Sequence, residues 1–125
     1  MAWTFSSIDN DTVLVSRVEG VLTKTTLMDY YQLYLKADYV HKYKKEIVDG
    51  RGVTKMFFTA QDQQQFIDLI SQHPEELRGR KVAMVAEKPS VYGIFRMFEM
   101  QRDELDYEVR VFKDYDESVK WITAE

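Results

Sequence analysis

Two rhythms of apolar residues alternate along this chain, and they predict where strands and helices lie. Trp3, Phe5 and Ile8 mark a first strand over 3–8, and Val13, Val15 and Val18 a second over 12–18. The polar triplet Asp9-Asn10-Asp11 between them is a turn, so the pair reads as an antiparallel hairpin at one sheet edge. Glu19 to Thr23 then turns into a helix that Thr23 or Thr25 can cap. Leu27, Tyr30, Tyr31, Tyr34 and Leu35 recur at helical spacing along it, and it fades near 38–41. Glu46-Ile47-Val48-Asp49 is a third strand, broken by Gly50-Arg51-Gly52, and Val53 to Phe58 is extended again.

The second half repeats the alternation. Thr59-Ala60-Gln61-Asp62 opens a second helix, and a hydroxyl followed three residues on by an acid resembles a capping box, with Asp in the usual Glu place. Phe66, Ile67, Leu69 and Ile70 give this helix its buried side. His73-Pro74 marks its end or a kink, because proline disfavours helix in the residue before it, and Leu77 anchors a last turn before Gly79. Lys81 to Ala86 is a small, apolar strand that runs into a helix from Ser90, its cap, to about Glu104. Tyr107, Val109 and Val111 alternate in a strand ending at Phe112. Asp114 caps the last helix, with Glu117 at the reciprocal position, Val119 and Ile122 facing the core and Trp121 wrapping an edge. The order β-β-α-β-α-β-α-β-α predicts an α/β fold: a mostly parallel five-stranded sheet with an antiparallel edge strand, right-handed crossovers and four main helices. With 125 residues, no repeat and no long linker, residues 1–125 read as one domain.

Composition narrows function mainly by exclusion. Cysteine is absent, which removes disulfides, thiolate metal sites and cysteine nucleophiles and fits a reducing compartment. The N-terminus has neither the basic nor the apolar region of a secretory signal, and no apolar run approaches the ~18–20 residues of a membrane span, so a soluble cytoplasmic protein is expected. Net charge is −4, and the one basic cluster, His41-Lys42-Tyr43-Lys44-Lys45, reads as a solvated helix end, so nucleic acid is not an expected partner. His41 and His73 have no second ligand at metal spacing, and no metal or cofactor is expected. The acids Asp103-Glu104 and Asp114/Asp116/Glu117 suit surface and capping roles. Gly50-x-Gly52 lacks the rest of a dinucleotide fingerprint. With no nucleophile–base pair to name, the chain is not expected to be an enzyme.

Candidate chemistry gathers where strands meet helices. In such a sheet the links Gly20–Thr23, Phe58–Ala60 and Ala86–Ser90 share one rim. Thr59 and Ser90 each place a hydroxyl at a helix start, with Lys88 beside Ser90; an anion site or a phosphorylatable hydroxyl competes there with plain capping. Asp49 at a strand end is either a functional acid or the partner of an Asx turn or of Arg51. On the helix after Ser90, Val91, Ile94, Phe95 and Phe98 form the expected stripe, while Tyr92, Met97 and Met100 lie partly outside it. Those three suit an adaptable partner surface or ligand pocket, a wide core face, or a homodimer contact.

The run Tyr92-Gly93-Ile94-Phe95-Arg96-Met97-Phe98-Glu99, followed by Val109-Arg110-Val111-Phe112 and Glu117-Ser118-Val119-Lys120-Trp121-Ile122, resembles a bacterial family of small SpoIIAA-like proteins of the STAS superfamily, often described as STAS or CRAL-TRIO-like. Val18-Glu19-Gly20 and Val48-Asp49-Gly50-Arg51-Gly52 fit the same pattern, so the resemblance spans nearly the whole chain. It implies a βα superhelix and a non-catalytic module that binds proteins or small ligands. In the anti-sigma-factor antagonists a Ser or Thr in an Asp-Ser-Ser-Gly-like motif before the second helix is phosphorylated by a partner kinase. The corresponding stretch here is Met56-Phe57-Phe58-Thr59-Ala60-Gln61, in which Thr59 alone offers a hydroxyl.

Two functions follow as expectations. One is a regulatory or scaffolding domain that presents the rim around Thr59 and Ser90, with Asp49 and Arg51, and the helix carrying Tyr92, Arg96 and Met97 to a protein partner. The other is a small binding protein for an apolar or lipid-like ligand, with Tyr30/Tyr31/Tyr34, Phe57/Phe58 and Phe95/Phe98 lining a pocket. An enclosed apolar cavity favours the second, and a filled core ends it.

Overall fold

The computed structural model describes residues 2–36, 42–71, 79–100 and 108–124. Its elements are β1 (Ala2–Ile8), β2 (Val13–Thr23), α1 (Lys24–Lys36), β3 (Lys45–Phe57), α2 (Ala60–Ser71), β4 (Lys81–Val85), α3 (Pro89–Met100), β5 (Glu108–Phe112) and α4 (Tyr115–Thr123). The five strands lie in the order β1-β2-β3-β4-β5, antiparallel at β1–β2 and parallel elsewhere. Asp9, Asn10 and Asp11 close the hairpin with φ of 55, 57 and 62°, a left-handed run that short polar side chains tolerate best after glycine. The expectations for His41, His73-Pro74, Leu77, Asp103-Glu104 and Tyr107 lie outside the described residues, as do the side chains of Tyr34, Leu35 and Ile70.

Because strand order never reverses, three successive parallel crossovers bring α1, α2 and α3 to the same face. That face packs Leu14, Val18 and Leu22 of β2, Val53 of β3, Val82 of β4 and Val109 and Val111 of β5 against Tyr31, Phe66, Ile67, Val91, Phe95 and Phe98. Among the described residues α4 is the helix on the other face, where Ile122 meets Val13, Val15, Ile47, Ala83 and Val85. Strands covered on both sides explain why Val13 to Ser16 are all buried, with no exposed alternate position.

Two expectations about the strands need correction. β3 is not broken at Gly50-Arg51-Gly52 but runs unbroken to Phe57, and β2 extends past Val18 to Thr23 alongside it. The register shifts twice, between Arg17 and Glu19 and between Gly20 and Val21, and Gly20 takes φ 88° there, so these glycines serve irregularities within strands rather than ends. At Gly50 a Cβ would stand 2.9 Å from the Val85 carbonyl oxygen and 3.0 Å from the Phe95 ring, so close approach to β4 and α3 dictates the residue. β4 pairs only with β3 residues 45–49, so the far half of β3 and the end of β2 project as a two-stranded ribbon.

Candidate functional site

Beneath α1, α2 and α3 the core is not filled. A pocket of about 110 Å³ lies between these helices and the sheet, where a packed interior has few voids larger than a water molecule. Its walls come from these three helices and from β1 to β4: Trp3 of β1, Val18 and Leu22 of β2, Val48 and Met56 of β3, Met84 of β4, Tyr30 and Tyr31 of α1, Phe66 of α2, and Ile94, Phe95 and Phe98 of α3, with Phe58 at the β3–α2 link. Trp3 stacks on Tyr30 with ring centroids 3.9 Å apart, and Phe66 tilts against Phe98 at 6.2 Å.

One part of this apolar wall is charged. Glu46 and Arg80 are buried there, and the Arg80 guanidinium donates to Glu46 Oε1 at 2.9 Å and to the Tyr43 carbonyl at 2.7 Å. Glu46 Oε2 accepts from the Ser16 hydroxyl at 2.6 Å and from the Tyr30 phenol at 3.2 Å. Burial first, and then the Glu46 charge, push the Tyr30 phenol well above its ordinary pKa, so it stays a donor. The charges cancel and are hydrogen-bonded, the condition under which a buried pair is tolerated. Two polar groups on the wall behave differently. The side-chain nitrogen Nε2 of Gln63, a residue 2% exposed, and the indole nitrogen of Trp3 are buried with no hydrogen-bond partner among the described residues.

The rim is built by ordinary helix-start chemistry. Thr59 N donates to Asp62 Oδ2 at 3.0 Å and Asp62 N donates to Thr59 Oγ1 at 3.1 Å, a reciprocal capping box as its spacing predicts. α1 starts similarly: Thr23 N donates to Thr26 Oγ1 at 2.8 Å, and Thr26 N to Thr23 Oγ1 at 3.3 Å. Ser90 is not a cap. Pro89 occupies the first helical position, where its missing N–H costs nothing, and the Lys88 carbonyl accepts from Tyr92 N at 2.8 Å. The Lys88 ammonium donates to the Val53 carbonyl at 3.3 Å, tying the α3 start to the projecting ribbon. Among the described residues, no group of three His, Asp or Glu stands where it could hold a metal ion, and no helix is long and apolar enough to cross a membrane.

No family model matches the sequence, and no curated protein does. Solved structures do. A protein of the DUF3478 family from Shewanella loihica PV-4, described as uncharacterized and as having a SpoIIAA-like fold, matches with a TM-score of 0.62 at 15% identity, over 97% of this chain and 92% of that one. The anti-sigma factor antagonist SpoIIAA in its unphosphorylated form matches with a TM-score of 0.59 at 11% identity, over 99% and 100%. The fold is SpoIIAA-like. At these identities the likeness speaks for architecture alone.

Within the SpoIIAA-like frame, the residues singled out from the sequence fall in different places. Asp49 is buried on the α4 face, where Arg51 clasps it with Nε and a terminal nitrogen, each at 2.9 Å, and Arg17 stands 3.4 Å away. Burial pushes the Asp49 carboxyl up, but the Arg51 hydrogen bonds and the Arg51 and Arg17 charges outweigh it and hold the pKa below the ordinary value. Arg51 also lies over the Tyr115 ring at 4.3 Å. Thr59 and Ser90 are exposed at the rim. On α3, Met97 is exposed, Arg96 pairs with Glu99, and Tyr92 lies under the Lys113 ammonium. Phe58 alone of these residues lines the pocket. Of the wall residues expected from the sequence, Tyr30, Tyr31, Phe58, Phe95 and Phe98 line the pocket, whereas Phe57 is exposed outside it; Trp3, Glu46, Gln63 and Arg80 were missed. Gln63 was findable: it lies three and four residues before Phe66 and Ile67, on the buried stripe of α2.

Proposed function

We propose that this SpoIIAA-like domain is a non-catalytic binding module whose ligand is a small, mostly apolar molecule seated beneath α1–α3. One observation carries the reading: the aromatic-lined pocket stands where a domain of this size buries its core. Its volume approaches the roughly 150 Å³ of apolar cavities that accept benzene. The test is a ligand-observed NMR titration with the hydrocarbon methylenecyclohexane, on the native chain and on M84F, which sets a bulkier, stiffer ring into the pocket wall from β4. Saturable binding to the native chain, lost in M84F while the variant still melts cooperatively, is the expected result. No binding to the native chain overturns the reading.

A second reading rests on a separate observation. Val21 and Phe57 are 46% and 53% exposed on the projecting ribbon, and Met97 and Met100 are 38% and 73% exposed on α3. We propose that these surfaces, with the Thr59 and Ser90 rim, Arg96 and the Asp49–Arg51 pair, meet a protein partner, by analogy with the SpoIIAA structure named as an anti-sigma factor antagonist. Phosphate on Thr59 would bring negative charge to a helix N-terminus, which favours it, while displacing the hydroxyl from Asp62 N. Native mass spectrometry of protein from its own host checks both points. A defined protein complex or a phosphate on Thr59 supports this reading; an unmodified, partnerless chain counts against it.

A further inference from the structure

Gln63 and Trp3 give the pocket a chemical preference. Over nine-tenths of buried polar groups in folded proteins find a hydrogen-bond partner, and leaving a buried donor unmatched costs about 1–3 kcal/mol. Here Gln63 Nε2 and Trp3 Nε1 are both buried and both unmatched among the described residues, and the two residues that carry them line the same pocket. Indole N–H can only donate, and so can the amide nitrogen. With a turn of either side chain toward the void, an oxygen or nitrogen acceptor entering the pocket would satisfy it.

The charge on that acceptor is also constrained. Among the described residues, Glu46 and Arg80 are the only charged ones of the lining, and the Arg80 guanidinium donates to Glu46 and to the Tyr43 carbonyl. An anion would therefore enter an apolar space with no surplus positive charge, and desolvation would oppose it. Resting on the pocket reading above, we propose that the ligand is an uncharged, ring-sized molecule carrying a carbonyl or similar neutral acceptor, and that Gln63 and Trp3 are the donors that read it.

Three probes of one skeleton test this on the full chain: cyclohexanone, the isosteric olefin methylenecyclohexane, and cyclohexanecarboxylate. Cyclohexanone binds most tightly, the olefin about tenfold more weakly, and the carboxylate not measurably at neutral pH. Q63L lowers affinity for the ketone by about tenfold and leaves the olefin unchanged or tighter. W3F and the carbonyl ¹³C shift of bound cyclohexanone carry the test if Q63L does not fold; a downfield shift in the native complex, reduced in W3F, is expected. Equal affinity for ketone and olefin, or tightest binding of the carboxylate, overturns this inference while the pocket reading survives. Binding of none of the three ends both.

Discussion

Arg80 and Glu46 show how much one buried side chain can ask of its neighbour. R80M alone strands a carboxylate in an apolar wall and should cost about 3–5 kcal/mol in urea unfolding. Adding E46Q removes the stranded charge and keeps an acceptor for Ser16 and Tyr30, so most of that loss should return in R80M/E46Q. Asp49 gives a prediction in pH. Its folded pKa is depressed, so its stabilisation is complete above the unfolded value of about 3.9 and is lost as pH falls through the lower folded value. D49N should therefore cost about 1–3 kcal/mol at pH 7, and the gap to the native chain should close as pH drops below about 4. A gap that stays constant between urea melts at pH 7 and pH 3 would refute it. From the sequence, the Asp49–Arg51 pair was legible because the partners are two residues apart. Glu46 and Arg80 are 34 apart, and nothing local couples them.

At the scale of elements, glycine and capping residues make opposite predictions in similar surroundings. G93A should stabilise the domain by about 0.5–1 kcal/mol, because a Cβ on that α3 position meets nothing within 4 Å and the helix loses a flexible residue. G50A should destabilise by about 1–3 kcal/mol through its contact with Val85 and Phe95. T59A, which deletes half the α2 capping box, should cost about 1 kcal/mol. Thermal melts of the three variants check all three signs. Most elements were legible. The hairpin, the α2 capping box, the Asp114 cap of α4 and the apolar stripe of α3 follow from local rules that nothing overrides, while Glu117 faces Lys120 rather than closing a box with Asp114. The lengths of β2 and β3 were not, because glycine reads as punctuation in one dimension, and only the facing strand shows that it serves a bulge or a close contact. Ser90 misled for a related reason: Pro89 fixes the first turn one residue earlier.

For the molecule as a whole, the sheet offers no place where strand order reverses, so the crevice that open α/β sheets use for ligands is missing. That moves the binding question from the rim to the space under α1–α3. A ligand there touches α1, α2, α3 and the strands β1 to β4, so it should stabilise the entire domain by about 2.7 kcal/mol at a hundredfold excess over Kd and raise its unfolding midpoint. Calorimetry with saturating cyclohexanone measures it; an unshifted midpoint speaks against occupancy. The alternation of strands and helices was legible, but the strand order that puts three helices on one face was not, because a sheet with helices on both faces alternates in the same way. The pocket was not, since the same residues that line a void would fill a core, and only their positions tell the two apart. The unreversed strand order also bears on synthesis. Each strand that leaves the ribosome finds its neighbour already made, so the sheet can grow by accretion in the order of translation. A nascent chain stalled before β5 would then hold a nearly complete sheet whose growing edge is β4, still waiting for its last strand and for the helix that packs on the opposite face.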